Sequence, residues 1–276
     1  MVSQIDKHRA FVELHRRPGA FVIPNPWDAG SARILAALGF EALATTSAGF
    51  AFSAGRIDAA TAISREALLD NARAIVEATD LPVSADLQNG FGAAPESCAE
   101  TIRLAVEAGL VGGSIEDATE DAADPIFELE LAAERVAAAV EAARGLPFVL
   151  TARAENYLHG RPDLDDTIRR LQAFEKAGAD VLYAPGLRDL DAIRTVCSAV
   201  SRPVNVVMGL TGARFTVADL AEAGVKRISV GGSFARAALG ALARAGREVL
   251  EEGTFTYADE AMSGQEAAAY MRDEPA

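Results

Sequence analysis

Apolar positions along this chain follow two alternating patterns. Short, nearly continuous apolar runs lie at 20–24 (AFVIP), 41–46 (EALATT), 81–86 (LPVSAD), 111–116 (VGGSIE), 147–152 (PFVLTA), 179–184 (ADVLYA), 203–208 (PVNVVM) and 225–230 (VKRISV). Runs of this length suit strands buried on both faces. Longer segments at about 30–38, 64–78, 96–108, 129–143, 163–177, 189–199, 216–222 and 233–250 are predicted to be helices.

Strands that alternate with helices imply parallel crossovers, because parallel neighbours need long connections. The stretches LAALGFEAL, VEAGLVGG, FEKAGADVL and LAEAGVKRI each place a glycine between a helix and the next strand, where a left-handed residue closes the helix. Eight repeats of this unit predict a single (β/α)8 TIM-type barrel spanning residues 1–276, with an additional C-terminal helical segment at about 257–272. A doubly wound sheet stays open as the alternative, since no local pattern tells whether the eighth strand meets the first.

Charge and cysteine content narrow the partners. The chain has 276 residues with 40 acidic and 26 basic side chains, a net charge of −14, which argues against a continuous basic surface for nucleic acid or anionic membrane. Cys98 and Cys197 form neither a CxxC motif nor a ladder, so the expectation is a reduced, cytoplasmic protein without a disulfide framework. Asp6, Lys7, Arg9 and Glu13 interrupt any signal-like apolar run at the start. The 14 residues from Ala42 to Gly55 are the longest charge-free stretch, short of the about 18 apolar residues that a membrane helix needs.

A barrel brings the C-terminal ends of its strands together into one mouth. Strand two exits through ThrThrSerAlaGly at 45–49 toward Asp58, strand three ends at Asp86, strand four at Glu116 and Asp117, and strand five at Thr151 and Arg153 before Glu155. Asp86 and Glu116 are candidate ligands for a hard divalent ion such as Mg²⁺, with Asp58, Gln88 and Asp117 holding its waters. Helix capping or a wet loop is the plainer reading of the same acids. Arg153 offers a planar fork for a substrate carboxylate, or else an ion pair with Glu155 or Glu116. Ser47 and the backbone of Ala48 and Gly49 are candidates to bind a second carboxylate oxygen, unless they form an ordinary turn. Gly231–Ser233 reads as a structural helix cap or an anion site built from exposed amides, and His159 as an acid, a base or mere loop polarity.

The motifs AsnProTrpAspAlaGlySer at 25–31, ThrThrSerAlaGly at 45–49, AlaAspLeuGlnAsnGlyPheGly at 85–92, SerIleGluAsp at 114–117 and ThrAlaArgAlaGlu at 151–155 resemble the isocitrate lyase and phosphoenolpyruvate mutase superfamily. The resemblance continues through 177–186 and 225–232, in order along most of the chain. It implies a Mg²⁺-dependent enzyme that acts on a small anionic 2-oxo acid through an enolate. By the same resemblance, Ser47, Ala48 and Gly49 hold the substrate carboxylate, Asp58, Asp86 and Glu116 serve the metal and its waters, and Arg153 binds substrate oxygens. It also implies a homodimer or homotetramer with helix exchange.

Two departures shape the expected reaction. Gln88 stands where the family often has a second acid, and 114–127 lacks the lysine, cysteine and histidine of the lyase gating segment. The preferred expectation is a carbon–carbon lyase, with oxaloacetate decarboxylation as the concrete reaction and Tyr157 or a water returning the proton. A phosphonomutase-like enzyme acting on phosphoenolpyruvate or carboxyvinyl-carboxyphosphonate, a 2-methylisocitrate lyase-like enzyme, an oxaloacetate hydrolase and a catalytically inactive metabolite sensor remain alternatives. The acidic run from Asp117 to Pro125 is expected to be a mobile lid.

Overall fold

Every predicted apolar run supplies a strand, though a shorter one. The computed structural model describes residues 2–59, 62–119, 121–210, 212 and 214–272. After helix α1 (Gln4–Arg16) come β1 (Phe21–Ile23), α2 (Ala29–Ala37), β2 (Leu43–Ala44), α3 (Ser47–Ser53), α4 (Arg65–Glu77), β3 (Val83–Asp86), α5 (Pro95–Glu107) and β4 (Gly112–Glu116). The chain continues through α6 (Leu129–Ala143), β5 (Val149–Arg153), α7 (Leu164–Ala177), β6 (Val181–Tyr183), α8 (Leu190–Ala199), β7 (Val204–Val207), α9 (Val217–Glu222) and β8 (Arg227–Ser229). It ends with α10 (Ser233–Glu251), a 3-10 turn (Thr256–Asp259) and α11 (Gly264–Tyr270).

The strands form one parallel sheet in the order β1-β8-β7-β6-β5-β4-β3-β2. Pairing of β1 with β8, from Phe21 opposite Arg227 to Ile23 opposite Ser229, decides for the barrel and against the doubly wound sheet. The seam between β1 and β2 has no strand ladder, because β1 runs into Pro24 and Pro26, which lack the N–H that pairing needs. Two bonds bridge it instead: Ala44 N–H donates to the Pro24 carbonyl at 3.0 Å, and the Asn25 amide donates to the Thr45 carbonyl at 3.0 Å. Asn25 Oδ1 also accepts from the N–H groups of Val230 and Gly231, at 2.8 and 2.9 Å, so a single side chain ties β1, β2 and the exit of β8 together.

The expected helix stops are present: Gly109 and Gly178 take φ of 88° and 107°, values that a β-carbon would strain. Two helices were not anticipated. In α1, capped by Ser3, Phe11 and Leu14 are buried against Phe21 and Val149 at the N-terminal end of the barrel. Its surface charges hide this apolar stripe in a linear reading. The second, α3, begins where the sequence suggested a loop, with Thr46 capping it through the Gly49 N–H. A β-carbon on Gly49 would lie 2.6 Å from Thr46 Cγ2 and 3.0 Å from Trp27 Cβ, so this turn of helix packs only with glycine.

The C-terminal segment is helical as expected and folds back on the barrel. Arg33 of α2 donates to the carbonyls of Met271 and Arg272 at 3.1 and 3.0 Å. Among the described residues no helix is long and apolar enough to cross a membrane.

Candidate active site

Hydrogen-bond register assembles the site. Glu116 pairs with Arg153, Arg153 with Tyr183, Tyr183 with Asn205, and Asn205 with Arg227. Residues directly paired across parallel strands point to the same side of the sheet. These five residues from β4 to β8 therefore form one inward-facing row, and four of them, Arg153, Tyr183, Asn205 and Arg227, line a cavity of about 440 Å³ inside the barrel.

Arg153 organises the mouth. Its guanidinium lies 3.0 Å from Asp86 Oδ1, 3.2 Å from Glu116 Oε2 and 2.7 Å from Glu155 Oε1. The three carboxylates hold its pKa well above the ordinary arginine value, against the opposing effect of burial. Both readings of Arg153 thus meet in one place, since it is ion-paired and also faces the cavity. Its guanidinium also lies 5.0 Å from the centre of the Tyr183 ring, within cation–π range.

Asp86 is held from several sides. Ser47 Oγ donates to Asp86 Oδ2 at 2.7 Å, the Ser47 N–H does so at 3.3 Å, and the Gln88 N–H donates to Oδ1 at 3.3 Å. Asp58 lies at the exposed rim of the cavity; desolvation and repulsion from Asp86 raise its pKa. Glu116 sits behind Arg153 and off the cavity lining, and burial, with repulsion from Glu155, Asp86 and Asp117, raises its pKa well above the carboxylate range. Ser47 and Ala48 line the cavity, whereas Gly49 faces a separate groove beside Trp27 and Ala235.

Three further sequence candidates also lie outside the lining. Asp117 is buried and paired with Arg170 at 3.1 Å, and it accepts the Glu155 N–H at 2.8 Å. Burial pushes its pKa up to about 6. In this position it props the loop that carries Glu155. Gln88 adopts φ of 49° and is buried, and its Oε1 has no hydrogen-bond partner. Tyr157 packs against the core from the loop after β5; its pKa is raised by desolvation and by Asp189 and Asp163, neither of which lines the cavity.

Between Asp117 and Phe127 the chain is pinned by its own bonds: Ala118 bridges Ile126, the Thr119 N–H donates to the Pro125 carbonyl at 2.8 Å, and Asp124 pairs with Arg161 at 3.0 Å. None of its described residues lines the cavity. Glu120, within the expected lid, lies outside the described residues.

Sequence reasoning overlooked Tyr183, Asn205, Arg227 and Ser229. A usable signal existed: Asn205 alone interrupts the apolar run PVNVVM, and Arg227 and Ser229 stand two apart in VKRISV, the spacing of residues on one face of a strand.

Known proteins match this architecture closely. The phosphoenolpyruvate phosphomutase family matches residues 11–250. The crystal structure of a candidate lyase/mutase from Burkholderia cenocepacia J2315 is 61% identical, covers 96% of this chain and 95% of its own, and superposes with a TM-score of 0.94. An oxaloacetate decarboxylase of Pseudomonas fluorescens is 29% identical over 99% of this chain and 94% of its own length. A 2-methylisocitrate lyase of Halalkalibacterium halodurans is 26% identical over 91% of this chain and 85% of its own. The chain belongs to the phosphoenolpyruvate phosphomutase family, within the isocitrate lyase/phosphoenolpyruvate mutase superfamily.

Proposed function

We propose that this member of the family is a Mg²⁺-dependent carbon–carbon lyase for a small 2-oxo dicarboxylate, with oxaloacetate as substrate and pyruvate and CO₂ as products. The observation that carries this reading is Arg153, fixed by three carboxylates at the mouth of a cavity that Asp58, Asp86, Asn205 and Arg227 also line, beside a strand-four segment with no lysine, cysteine or histidine.

The residues present fit a hydrated divalent cation. Asp58, Asp86, Glu116 and Glu155 surround Arg153 with more negative charge than it offsets, and the raised pKa of Glu116 records the burial and repulsion that result. The donors are hard carboxylate oxygens, and Asp58 and Asp86 among them line the cavity. Among the described residues no group of three or more His, Cys, Asp or Glu side chains forms a ready cage. Mg²⁺ keeps several waters and uses one or two carboxylates together with substrate. Asp86 would hold the ion, with Glu116 and Asp58 on its waters; when bound, it supplies positive charge for the developing enolate oxygen.

The chain's own residues do the rest. Arg153 orients the substrate carboxylate through its planar fork, and Asp86 and Glu155 lock that fork before substrate arrives. Ser47 and Ala48 confine the reacting end. Cleavage of the C3–C4 bond leaves its electron pair on C3 and releases CO₂. A proton added to C3 completes pyruvate. Tyr183 lines the cavity and is kept protonated by burial, which pushes its pKa up to about 12, so it and water replace Tyr157 as the proposed proton sources.

The test is product analysis by NMR with Mg²⁺ and, separately, oxaloacetate, 2-methylisocitrate and phosphonopyruvate. Pyruvate formation from oxaloacetate is expected. Cleavage of 2-methylisocitrate with oxaloacetate untouched would overturn the assignment, and saturable binding without product would favour a sensor.

A cytoplasmic location is proposed from the two unpaired cysteines, Cys98 and Cys197. Assembly as a homodimer or homotetramer with helix exchange is proposed from α10, where Phe234, Leu239, Leu242, Val249 and Leu250 are exposed. A monomeric mass by light scattering would reject it.

A further inference from the structure

The floor of the cavity carries chemistry that the reaction at the mouth leaves unused. Arg227 projects into the barrel from β8 and is only 5% exposed, yet it lines the cavity. Its Nε donates to Asn205 Oδ1 at 2.8 Å, its Nη2 donates to Thr151 Oγ1 at 2.9 Å, and its Nη1 lies 3.4 Å from His15 Nε2. All three partners are neutral, since burial and the nearby Arg227 push the His15 pKa down to about 3.

A guanidinium has five N–H donors, and these contacts engage three. A buried charge ordinarily requires an opposite charge or a full set of hydrogen bonds. Arg153, higher on the same row, has three carboxylates. Among the described residues Arg227 has no carboxylate partner, and burial lowers its pKa only to about 10, so it remains a cation at neutral pH.

The space beside it is also unusual. Barrel interiors are commonly filled by layers of bulky branched side chains, whereas Ser84, Ser114 and Ser229 line this one. Small hydroxyl-bearing residues leave both room and hydrogen-bond donors around the cation. Arg153 and Arg227 lie three strands apart on one row, roughly 14 Å along the wall at the usual strand spacing. Both side chains reach inward and line the same cavity, so the span between their guanidinium groups is shorter than that along the wall.

We propose that the barrel floor is a second anion subsite, in which Arg227 takes the far carboxylate of a dicarboxylate whose reacting end is held at the mouth. The inference rests on the proposed reaction for the identity of the substrate, but the subsite itself is measurable without turnover. It makes Arg227 a specificity-determining residue: acids with a second carboxylate bind in two places, and monocarboxylates in one.

Isothermal titration with succinate and with acetate tests this on the intact protein. Wild-type protein should bind succinate at least tenfold more tightly than acetate. Arg227→Gln removes the cation, and Asn205→Asp neutralises it by placing a carboxylate at its Nε, so the second variant serves if the first does not fold. Both should lower succinate affinity about tenfold and leave acetate affinity within twofold. Equal losses for the two acids, or unchanged succinate binding in folded variants, would overturn the subsite. Chloride-dependent thermal stabilisation that needs Arg227, without any preference for succinate, would reassign the floor to a free inorganic anion and overturn the carboxylate role. Arg227-dependent succinate binding in a protein that leaves oxaloacetate intact would keep the subsite and reject the proposed reaction.

Discussion

The mouth and the floor of this barrel each centre on an arginine of the same row, in opposite surroundings. At the mouth, Arg153 is enclosed by Asp86, Glu116 and Glu155, and acids outnumber it. At the floor, Arg227 meets an amide, a hydroxyl and a neutral imidazole. The cavity between them therefore runs from an anionic, cation-demanding end to a cationic, anion-demanding end. A ligand that carries anionic groups and arrives with a divalent cation matches both ends. The contrast also separates how the two charges are balanced: Arg153 neutralises neighbours already present, while Arg227 has no carboxylate partner among the described residues.

The largest expected effect comes from breaking the mouth. Arg153→Ala leaves three partly buried carboxylates without their partner, which should cost about 3–5 kcal/mol of stability and about 10³-fold in kcat/KM. Arg153→Lys keeps the charge but loses the fork, and should recover more of the stability than of the activity. Denaturant melts beside initial rates check both, and wild-type kcat/KM in Arg153→Ala would remove it from the site.

Next in size are the carboxylates. Asp86→Asn and Glu116→Gln should each lower Mg²⁺-dependent turnover by about 10²-fold. The stability of Glu116→Gln should change less, because burial and its acidic neighbours already disfavour the charged form of Glu116. Metal titrations of activity distinguish the two: a loss rescued by excess Mg²⁺ places the residue on the ion, and an unrescued loss places it on Arg153.

The pH dependence of stability sharpens the comparison, because the two ends titrate with opposite sign. The pKa of Asp117, beneath the mouth, is raised to about 6, so the stability it contributes is present below its unfolded value near 3.8 and lost as pH rises through 6. At the floor, the His15 pKa is lowered to about 3, so its contribution is present above 6.5 and lost as pH falls toward 3. Relative to wild type, Asp117→Asn should be more stable at pH 7 than at pH 4, and His15→Gln more stable at pH 4 than at pH 7. Thermal melts across that range decide it. Parallel curves for both variants would mean that neither group is held as described.

The smallest effect belongs to the segment after β4. Arg161 and Asp124 are largely exposed, so Arg161→Ala should change stability by less than about 0.5 kcal/mol. A larger change would show that this clasp, rather than the Thr119 and Phe127 backbone bonds, holds the segment in place.

How much of this was readable in advance depended on distance along the chain. Strand runs and helix stops were legible because apolar periodicity and glycine act over a few residues; Gly178 ends α7 where the pattern FEKAGADVL says it should. Asp86, Glu116 and Arg153 were legible because they end strands, and a barrel gathers strand ends. The helix α1 escaped notice because its charged residues mask the stripe of Phe11 and Leu14, whose burial needs the barrel bottom to exist first. Tyr157 and Tyr183 each follow or end a strand, and only the fold tells which one faces the cavity.

By itself, the sequence determined the repeating strand–helix unit, the chemistry available at the strand ends and the absence of lyase gating groups after β4, all of which reside in local pattern and side-chain identity. Tertiary structure alone decided that β8 closes on β1, that Gln88 and Asp117 turn away from the cavity, and that Glu116, Arg153, Tyr183, Asn205 and Arg227 share one row. The reason is register. A one-residue slip between paired strands exchanges the inward and outward faces, and the bonds that set it join residues far apart in the chain.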